Sequence, residues 1–340
     1  NFGEESIIKP NTNIEIGWNL LRRYTGLKLQ NLQKTSNKSF HSSGLIPSLL
    51  DKKINNSASE IINFHWFQGE MISIKAISRI KKPMIFTLHD CWAFSGTEHY
   101  PNGINDKRYI EGYKKINKPI NNRGLDLDRI SWQMKKKYWK YPHQIICPSN
   151  WLANCVRESS LMQDWPIKVI PNPIPTNIFK KTSRNLARKI LNLNLEKDLI
   201  MFVAWRGSHN QRKGWDILKE VLKIIPNSNN KIEALIIGEK EPINPPKLGM
   251  KINYLGQVHD DQILALTYSA VDLVLVPSRM ENLPQTATEA ISCGTPVVAF
   301  NCSGMPDAVD HKKTGYLADP YDVKSFSKGI QWILADKDRL

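Results

Sequence analysis

From about residue 60 onward the chain alternates short apolar runs with stretches whose apolar positions recur every three or four residues. The apolar runs at 61–67 and 83–89 are predicted strands, with a helix through 72–80 between them. Residues 101–124 show no period and read as a long loop, followed by a helix over 126–139, a strand over 143–148 and a helix over 151–159. The second half repeats this grammar more clearly. Strands are predicted at 199–204, 232–237, 252–255, 273–276 and 297–300, with helices near 214–225, 260–269 and 284–292. Alternating strands and helices predict an α/β class with parallel sheets, and the second half reads as a doubly wound domain whose ligands sit beyond the carboxyl ends of its strands. Pro171, Pro173 and Pro175 follow the apolar Val169–Ile170 pair and read as an interdomain hinge. Residues 1–55 are polar, rich in Asn, Ser and Lys, with one amphipathic stretch over 14–27, and are expected to be loosely packed.

Composition changes this picture in three ways. At 340 residues with 41% apolar positions, the chain is long enough for two compact domains with their own cores. A formal charge of +15 calls for an acidic partner, whether nucleic acid, anionic lipid or a phosphate-bearing substrate, without choosing among them. Cys91, Cys147, Cys155, Cys293 and Cys302 are odd in number and form no C-x-x-C pair, so reduced thiols and a cytoplasmic location are expected. No apolar run reaches the roughly 20 residues that span a bilayer, so any membrane contact is expected to be peripheral. The chain opens Asn-Phe-Gly without an initiating Met and stops just after a helical pattern, and both ends read as truncated.

The most informative segment is Glu281-Asn-Leu-Pro-Gln-Thr-Ala-Thr-Glu289, followed by Ala-Ile-Ser-Cys-Gly294-Thr-Pro296. A loop leaves the strand ending at Pro277-Ser278, and a helix is predicted from Pro284, whose free N–H groups would face a ligand phosphate. Glu281 before the helix and Glu289 within it either reach hydroxyls on one sugar or ribose ligand, or serve as a loop cap and a solvated helix residue. Lys213 before Gly214, at a strand-to-helix junction, either stabilises charge developing on a leaving diphosphate or is one more surface lysine. His89 ends an apolar strand and is expected at the carboxyl edge of the first sheet, with His65 on the same edge. In Ser303-Gly304-Met305-Pro306, backbone N–H groups are placed to approach phosphates as a glycine-rich loop does.

The Glu281-to-Glu289 segment resembles the E-x7-E signature of glycosyltransferase family 4. The resemblance extends through Pro-Ser-Asn-Trp (148–151), Ile-Pro-Asn-Pro (170–173), Arg-Lys-Gly (212–214) and Gly-Gln-Val-His (256–259). His89-Asp-Cys-Trp-Ala-Phe-Ser-Gly96 resembles the first-domain signature of a bacterial polysaccharide-assembly subgroup similar to colanic-acid-type glycosyltransferases. What the resemblance implies is a GT-B fold, with two Rossmann-like doubly wound domains facing across a cleft. An acceptor-side domain would occupy 1–172, incomplete at its start, and a nucleotide-sugar-binding domain 173–340, its last helix missing. The implied activity is transfer of a hexose-type sugar, with retention, from a nucleoside diphosphate sugar to a saccharide or lipid-linked acceptor. Glu281 would bind hydroxyls of the transferred sugar, Glu289 the donor ribose, and Lys213 with Arg206 the diphosphate, with Arg212 competing for the Arg206 role. Asn282, Leu283, Ser303 and Gly304 complete the implied donor site, and His89 would contact the reacting sugar. Relatives more often carry paired glycines where Ser303-Gly304 stands. No cofactor and no metal are expected.

Three further signals shape the expectations. Asp126-Leu-Asp128 is formally a D-x-D metal motif, but its place at a helix start makes one of the two an N-cap. The loop after His99-Tyr-Pro-Asn-Gly103 lacks the cysteine cluster common in the subgroup, so no metal-stapled loop is expected. Trp132, Met134, Tyr138 and Trp139 interleave with Lys135, Lys136, Lys137 and Lys140, which reads either as an amphipathic helix with a solvated lysine face or as a contact with anionic membrane. Nucleic acid is not an expected partner, because no familiar recognition module appears. Rival readings are another GT-B chemistry, such as a sugar-nucleotide epimerase or a phosphorylase, and a basic inactive module on anionic membrane or nucleic acid.

Overall fold

The computed structural model describes residues 12–103, 105–203 and 210–336. The chain divides into two compact units, one of residues 1–148 and 152–170, the other of 149–151 and 171–340.

In the first unit the order is α1 (Asn13–Gln30), β1 (Gln33–Lys34), α2 (Leu50–Asn56), β2 (Ile62–His65), α3 (Ile74–Ile77), β3 (Met84–Thr87), α4 (Arg108–Glu111), β4 (Arg123–Gly124), α5 (Leu127–Tyr138), β5 (Gln144–Cys147), α6 (Asn150–Glu158) and β6 (Ile167–Val169). Strands β2, β3, β5 and β6 form a parallel sheet in that order. The predicted strands and the helix over 126–139 are present, the latter with Asp126 as its cap, accepting from the Arg129 N–H. The segment expected to be loosely packed instead folds. Thr12 caps α1, β1 pairs antiparallel with β4, and Gly26 lies so close to Glu70 that a Cβ there would stand 2.4 Å from the Glu70 Cγ. The stretch read as loop contains α4 and β4.

Helix α5 overturns the idea of a solvated lysine face that includes Lys135. Lys135 is fully buried with Trp132 and Trp139, and only Lys136, Lys137 and Lys140 of the four are exposed. Its ammonium lies 3.8 Å from the Trp92 ring centre and donates to the carbonyls of Trp92, Ser95 (3.1 Å) and Gly96 (2.7 Å). The lysine therefore closes the turn that follows His89, because three carbonyls converge on its ammonium.

The second unit runs α7 (Arg184–Ile190), β7 (Asp198–Val203), α8 (Trp215–Ile224), β8 (Ile232–Ile237), β9 (Lys251–Gly256), α9 (Asp261–Ala270), β10 (Leu273–Val276), α10 (Gln285–Ser292), β11 (Val297–Phe300), α11 (Met305–Ala308), β12 (Gly315–Ala318) and α12 (Val323–Leu334). All six strands are parallel, in the order β12-β11-β10-β7-β8-β9. Period-two alternation divides the core between two faces. Ile200, Phe202, Leu273, Leu275, Val298 and Phe300 pack on one side with α8 and α12 residues, while Leu199, Met201, Val274, Val276, Val297 and Ala299 pack on the other with α9 and α10. Both faces being covered explains why these strands read as unbroken apolar runs. Strand order reverses between β7 and β10, and the loops that leave their carboxyl ends are thereby brought side by side. No helix among the described residues is long and apolar enough to cross a membrane.

Replacing Lys135 with Met removes the donor to three buried carbonyls while keeping the side-chain bulk. Lys135→Met is expected to lower stability by about 2–4 kcal/mol, read as a fall in the midpoint of thermal unfolding.

Candidate donor site

The site lies where the loops after β7 and β10 meet. Residues 211–213 form a single 3-10 turn, capped by the Asn210 side chain and ended by Gly214 at φ +73°. A Cβ at Gly214 would stand 2.0 Å from the Pro277 carbonyl oxygen, so glycine is required both by the left-handed backbone and by the close approach of the β10 loop. The two loops are joined by main-chain and side-chain bonds. The Arg279 N–H donates to the Arg212 carbonyl (2.8 Å), the Arg212 guanidinium to the Met280 carbonyl (2.8 Å), and the Arg279 guanidinium to the Gln211 carbonyl (2.6 Å). Arg279 is fixed in turn by Asp216 at 2.5 Å.

This junction delivers Lys213 and Arg212 to one carboxylate. The Lys213 Nζ lies 2.7 Å from the Glu281 Oε1, and the Arg212 Nη1 2.7 Å from the Glu281 Oε2. Glu281 is buried. Burial alone would raise its pKa, but Lys213 and then Arg212 outweigh it and hold the carboxyl at about 2. Two cations against one carboxylate leave an excess positive charge at the carboxyl edge of the sheet, and Arg212 joins the cluster on the same footing as Lys213. Arg206 lies outside the described residues.

Behind Glu281 the turn after β11 packs tightly. The Glu281 N–H donates to the Ser303 Oγ (3.0 Å), and the Gly304 N–H to the Glu281 carbonyl (2.9 Å). The Gly304 N–H is therefore engaged within the protein, and the phosphate contact expected of it is not what this geometry provides. Glycine is needed because a Cβ would fall 1.4 Å from the Asn282 carbonyl oxygen. Ser303 has φ +49°, the left-handed conformation glycine adopts without strain, which gives a physical reason for paired glycines at this turn. The serine offsets that strain with its hydroxyl bond to Glu281.

Asn282 is buried and Leu283 half-buried on the same loop. Helix α10 begins at Gln285, one residue later than expected, with Pro284 as its cap. Glu289 is half-buried, and its Oε2 accepts from the Tyr268 hydroxyl at 3.1 Å. Burial raises the Glu289 pKa, opposed by the Tyr268 bond. Tyr268 was not legible as a site residue, since in the sequence it is one of several apolar positions of α9.

His89 belongs to the first unit, just beyond β3, and His65 ends β2. The His65 Nδ1 and His89 Nε2 are 3.0 Å apart. Burial, then His65, lowers the His89 pKa against the pull of Asp90. In the same unit His41, Glu98 and Asp128 place three potential metal-ligand atoms within 4.8 Å of one another. These groups also have protein partners. The His41 ring meets Thr97 (2.8 Å), Tyr113 bonds to Glu98, and Arg108 lies 3.5 Å from Asp128.

Two family sequence models match the chain. That described as Glycosyltransferase Family 4 matches residues 26–178, and that described as Glycosyl transferases group 1 matches 183–340. Among curated relatives, a D-inositol 3-phosphate glycosyltransferase of Segniliparus rotundus is 30% identical over 184 residues, covering 51% of this chain and 40% of the relative. The chain thus spans less than half the length of that relative. Among solved structures, a sucrose-phosphate synthase from Thermosynechococcus elongatus has a TM-score of 0.65 at 21% identity, covering 85% of this chain and 68% of that one. Anabaena Alr3699/HepE, solved in complex with UDP-glucose, has a TM-score of 0.59 at 18% identity, covering 85% of this chain and 73% of that one. At these identities the likeness is one of fold.

Two outcomes follow from the geometry around Glu281. Ser303→Gly relieves the left-handed strain but loses the acceptor for the Glu281 N–H, whereas Ser303→Ala loses the acceptor and keeps the strain. Ala is therefore expected to be less stable than Gly by about 1 kcal/mol, the reverse of their order in a helix, as measured by denaturant unfolding. The Glu281 pKa of about 2 lies below its ordinary 4.5, so the stability it confers is fully present above about pH 4.5 and is lost as pH falls through about 2. Unfolding midpoints of the wild type should drop across that window, and Glu281→Gln should flatten the slope there.

Proposed function

We propose that this chain, which belongs to glycosyltransferase family 4 and has the GT-B fold, transfers a hexose-type sugar from a nucleoside diphosphate sugar to a hydroxyl of a saccharide or lipid-linked acceptor in polysaccharide assembly. The observation that carries this reading is the Lys213–Glu281–Arg212 cluster at the strand-order reversal of the second unit. A sugar–phosphate bond breaks with charge accumulating on the diphosphate, and fixed cations that need no reorganisation stabilise that charge most. Lys213 and Arg212 are such cations, joined by Arg206 in the reading made from sequence. The UDP-glucose complex of the structural neighbour HepE supports a nucleotide-sugar ligand for this fold.

In this reading Glu281 stays ionised and accepts from hydroxyls of the transferred sugar, beside Asn282 and Leu283. Glu289, its carboxylate oriented by Tyr268, accepts from the donor ribose. Ser303 and Gly304 act by holding the Glu281 backbone, so that its carboxylate is aimed by main-chain bonds rather than by rotamer choice. His89, kept neutral by burial and His65, offers a hydrogen bond to the reacting sugar without adding charge. The bond from the anomeric carbon to the diphosphate oxygen breaks, the bond to the acceptor oxygen forms on the same face, and the acceptor proton passes to the departing phosphate. That route gives retention without a second carboxylate across the bond. Because the chain's own cations meet the diphosphate, the reading requires neither metal nor cofactor.

Glu281→Gln and Lys213→Ala are expected to reduce sugar transfer by about 100-fold or more, the scale of removing one electrostatic stabiliser of a transition state. Product analysis with a panel of nucleoside diphosphate sugars, with and without acceptor, reads this directly. Wild-type rates in both variants would remove the site assignment, and conversion of donor independent of acceptor would replace transfer by epimerisation or phosphorolysis.

A further inference from the structure

Ser149, Asn150 and Trp151 belong to the second unit, although the residues on either side of them belong to the first. They stand at the start of α6, and their bonds run to the loops of the donor site. The Ser149 hydroxyl donates to the Asn282 Oδ1 at 2.6 Å, across 133 positions of the sequence. The Asn150 main-chain N–H (3.1 Å) and side-chain amide (2.7 Å) donate to the Asp307 Oδ1, and the Trp151 N–H donates to the Asp307 Oδ2 at 3.1 Å. Asp307 lies on α11, just past Gly304, and Gly304 in turn packs against the Asn282 carbonyl. The segment 149–151 thus holds the loop after β10 through Asn282 and the turn after β11 through Asp307.

The needs of the helix account for only part of this. The first turn of a helix leaves N–H groups without partners, and Asp307 supplies a carboxylate to two of them at the positive end of α6. The Ser149 bond has no such explanation. A capping side chain serves by accepting, so a serine at a helix start uses its oxygen and has no need of the hydroxyl hydrogen. Here that hydrogen goes to Asn282. Ser149 and Asn282 are 1% and 5% exposed, so water does not compete for the bond. An asparagine amide can present either its oxygen or its NH2 group in nearly the same shape, and a donor aimed at the oxygen selects between the two orientations. We propose that Ser149 is a positioning residue of the donor site. Its hydroxyl sets the orientation of the Asn282 amide beside Glu281, and Asp307 seats the segment from which it acts. The inference rests on the donor reading of Glu281 and Asn282 above, and it gives a role to a motif which that reading leaves unused.

Calorimetric titration with UDP-glucose, GDP-mannose and dTDP-glucose identifies which of them the wild-type chain binds, and that compound is the probe. Ser149→Ala is expected to weaken its binding about five- to tenfold, and Asp307→Ala about threefold, at unfolding midpoints close to that of wild type. Ser149→Gly, which still serves at a helix start, should match Ser149→Ala and carries the test if the alanine variant unfolds early. The deciding measurement pairs Ser149→Ala with Asn282→Ala. Because Ser149 acts through Asn282, the second change should weaken binding by less than about twofold beyond Asn282→Ala alone, whereas independent effects multiply. Asn154→Ala, at an exposed position of α6, should bind like wild type. The inference is overturned if the Ser149 variants or Asp307→Ala bind like wild type, if the Ser149 and Asn282 effects multiply, or if Asn154→Ala weakens binding as much as Ser149→Ala. Loss of binding in Glu281→Gln and Lys213→Ala, with wild-type binding in the Ser149 variants, removes this inference alone. Wild-type binding in Glu281→Gln and Lys213→Ala, or no binding of any of the three compounds by the wild type, removes the donor reading and the inference with it.

Discussion

The parallel pairing of β7 with β10 is the constraint on which the second unit's chemistry depends. It places two strands that are distant in sequence side by side at the point where the strand order reverses. Loops leaving a sheet at such a point have no crossover helix between them, so they meet. Their meeting demands Gly214, because the Pro277 carbonyl occupies the space of any Cβ there, and it aligns the Arg212 carbonyl with the Arg279 N–H. Lys213, Arg212 and Glu281 then have little freedom left. A one-residue slip of either loop would separate the cations from the carboxylate.

Burying the Glu281 carboxylate would be costly if it stood alone, since the effective desolvation penalty of an ion in a protein interior is several kcal/mol. The depressed pKa shows that the two cations more than offset it. An uncharged pair of similar shape would satisfy packing as well, so stability alone does not account for this arrangement. An ionised carboxylate with two cations, its backbone held at the carboxyl edge of a sheet by the Ser303 hydroxyl and the Gly304 N–H, has the properties required to bind hydroxyls and phosphate together.

The sequence exposes those parts of the molecule whose physics is local. The fully buried strands β10 and β11 read as continuous apolar runs because both faces of the sheet are covered, and the E-x7-E segment carries its loop, cap and helix in consecutive residues. The Asp126 cap was legible for the same reason. What escaped is set by distant contacts. Tyr268 becomes a partner of Glu289 only through the packing of α9 on α10, and the internal engagement of the Gly304 N–H follows from the approach of the β10 loop. Ser303 shows the limit clearly. Its left-handed backbone explains a glycine preference, yet its side-chain bond to Glu281 is visible only once two loops are adjacent.

Helices α1 and α5 make the same point through charge. Both mix aromatic or aliphatic residues with lysine or arginine, and each has a cation turned inward. Arg22 donates to two carbonyls beneath α1, and Lys135 to three beneath α5. In α5 the tryptophans share the buried side with Lys135, so the apolar area is consumed internally and the remaining lysines face solvent alone. In α1 the inward side is taken by Arg22, Gly26 and Gln30, which leaves Leu20, Leu21 and Tyr24 exposed. Composition cannot separate the two cases, because it counts residues without regard to the face they occupy. The inward cation decides it, by fixing the rotation of each helix about its own axis.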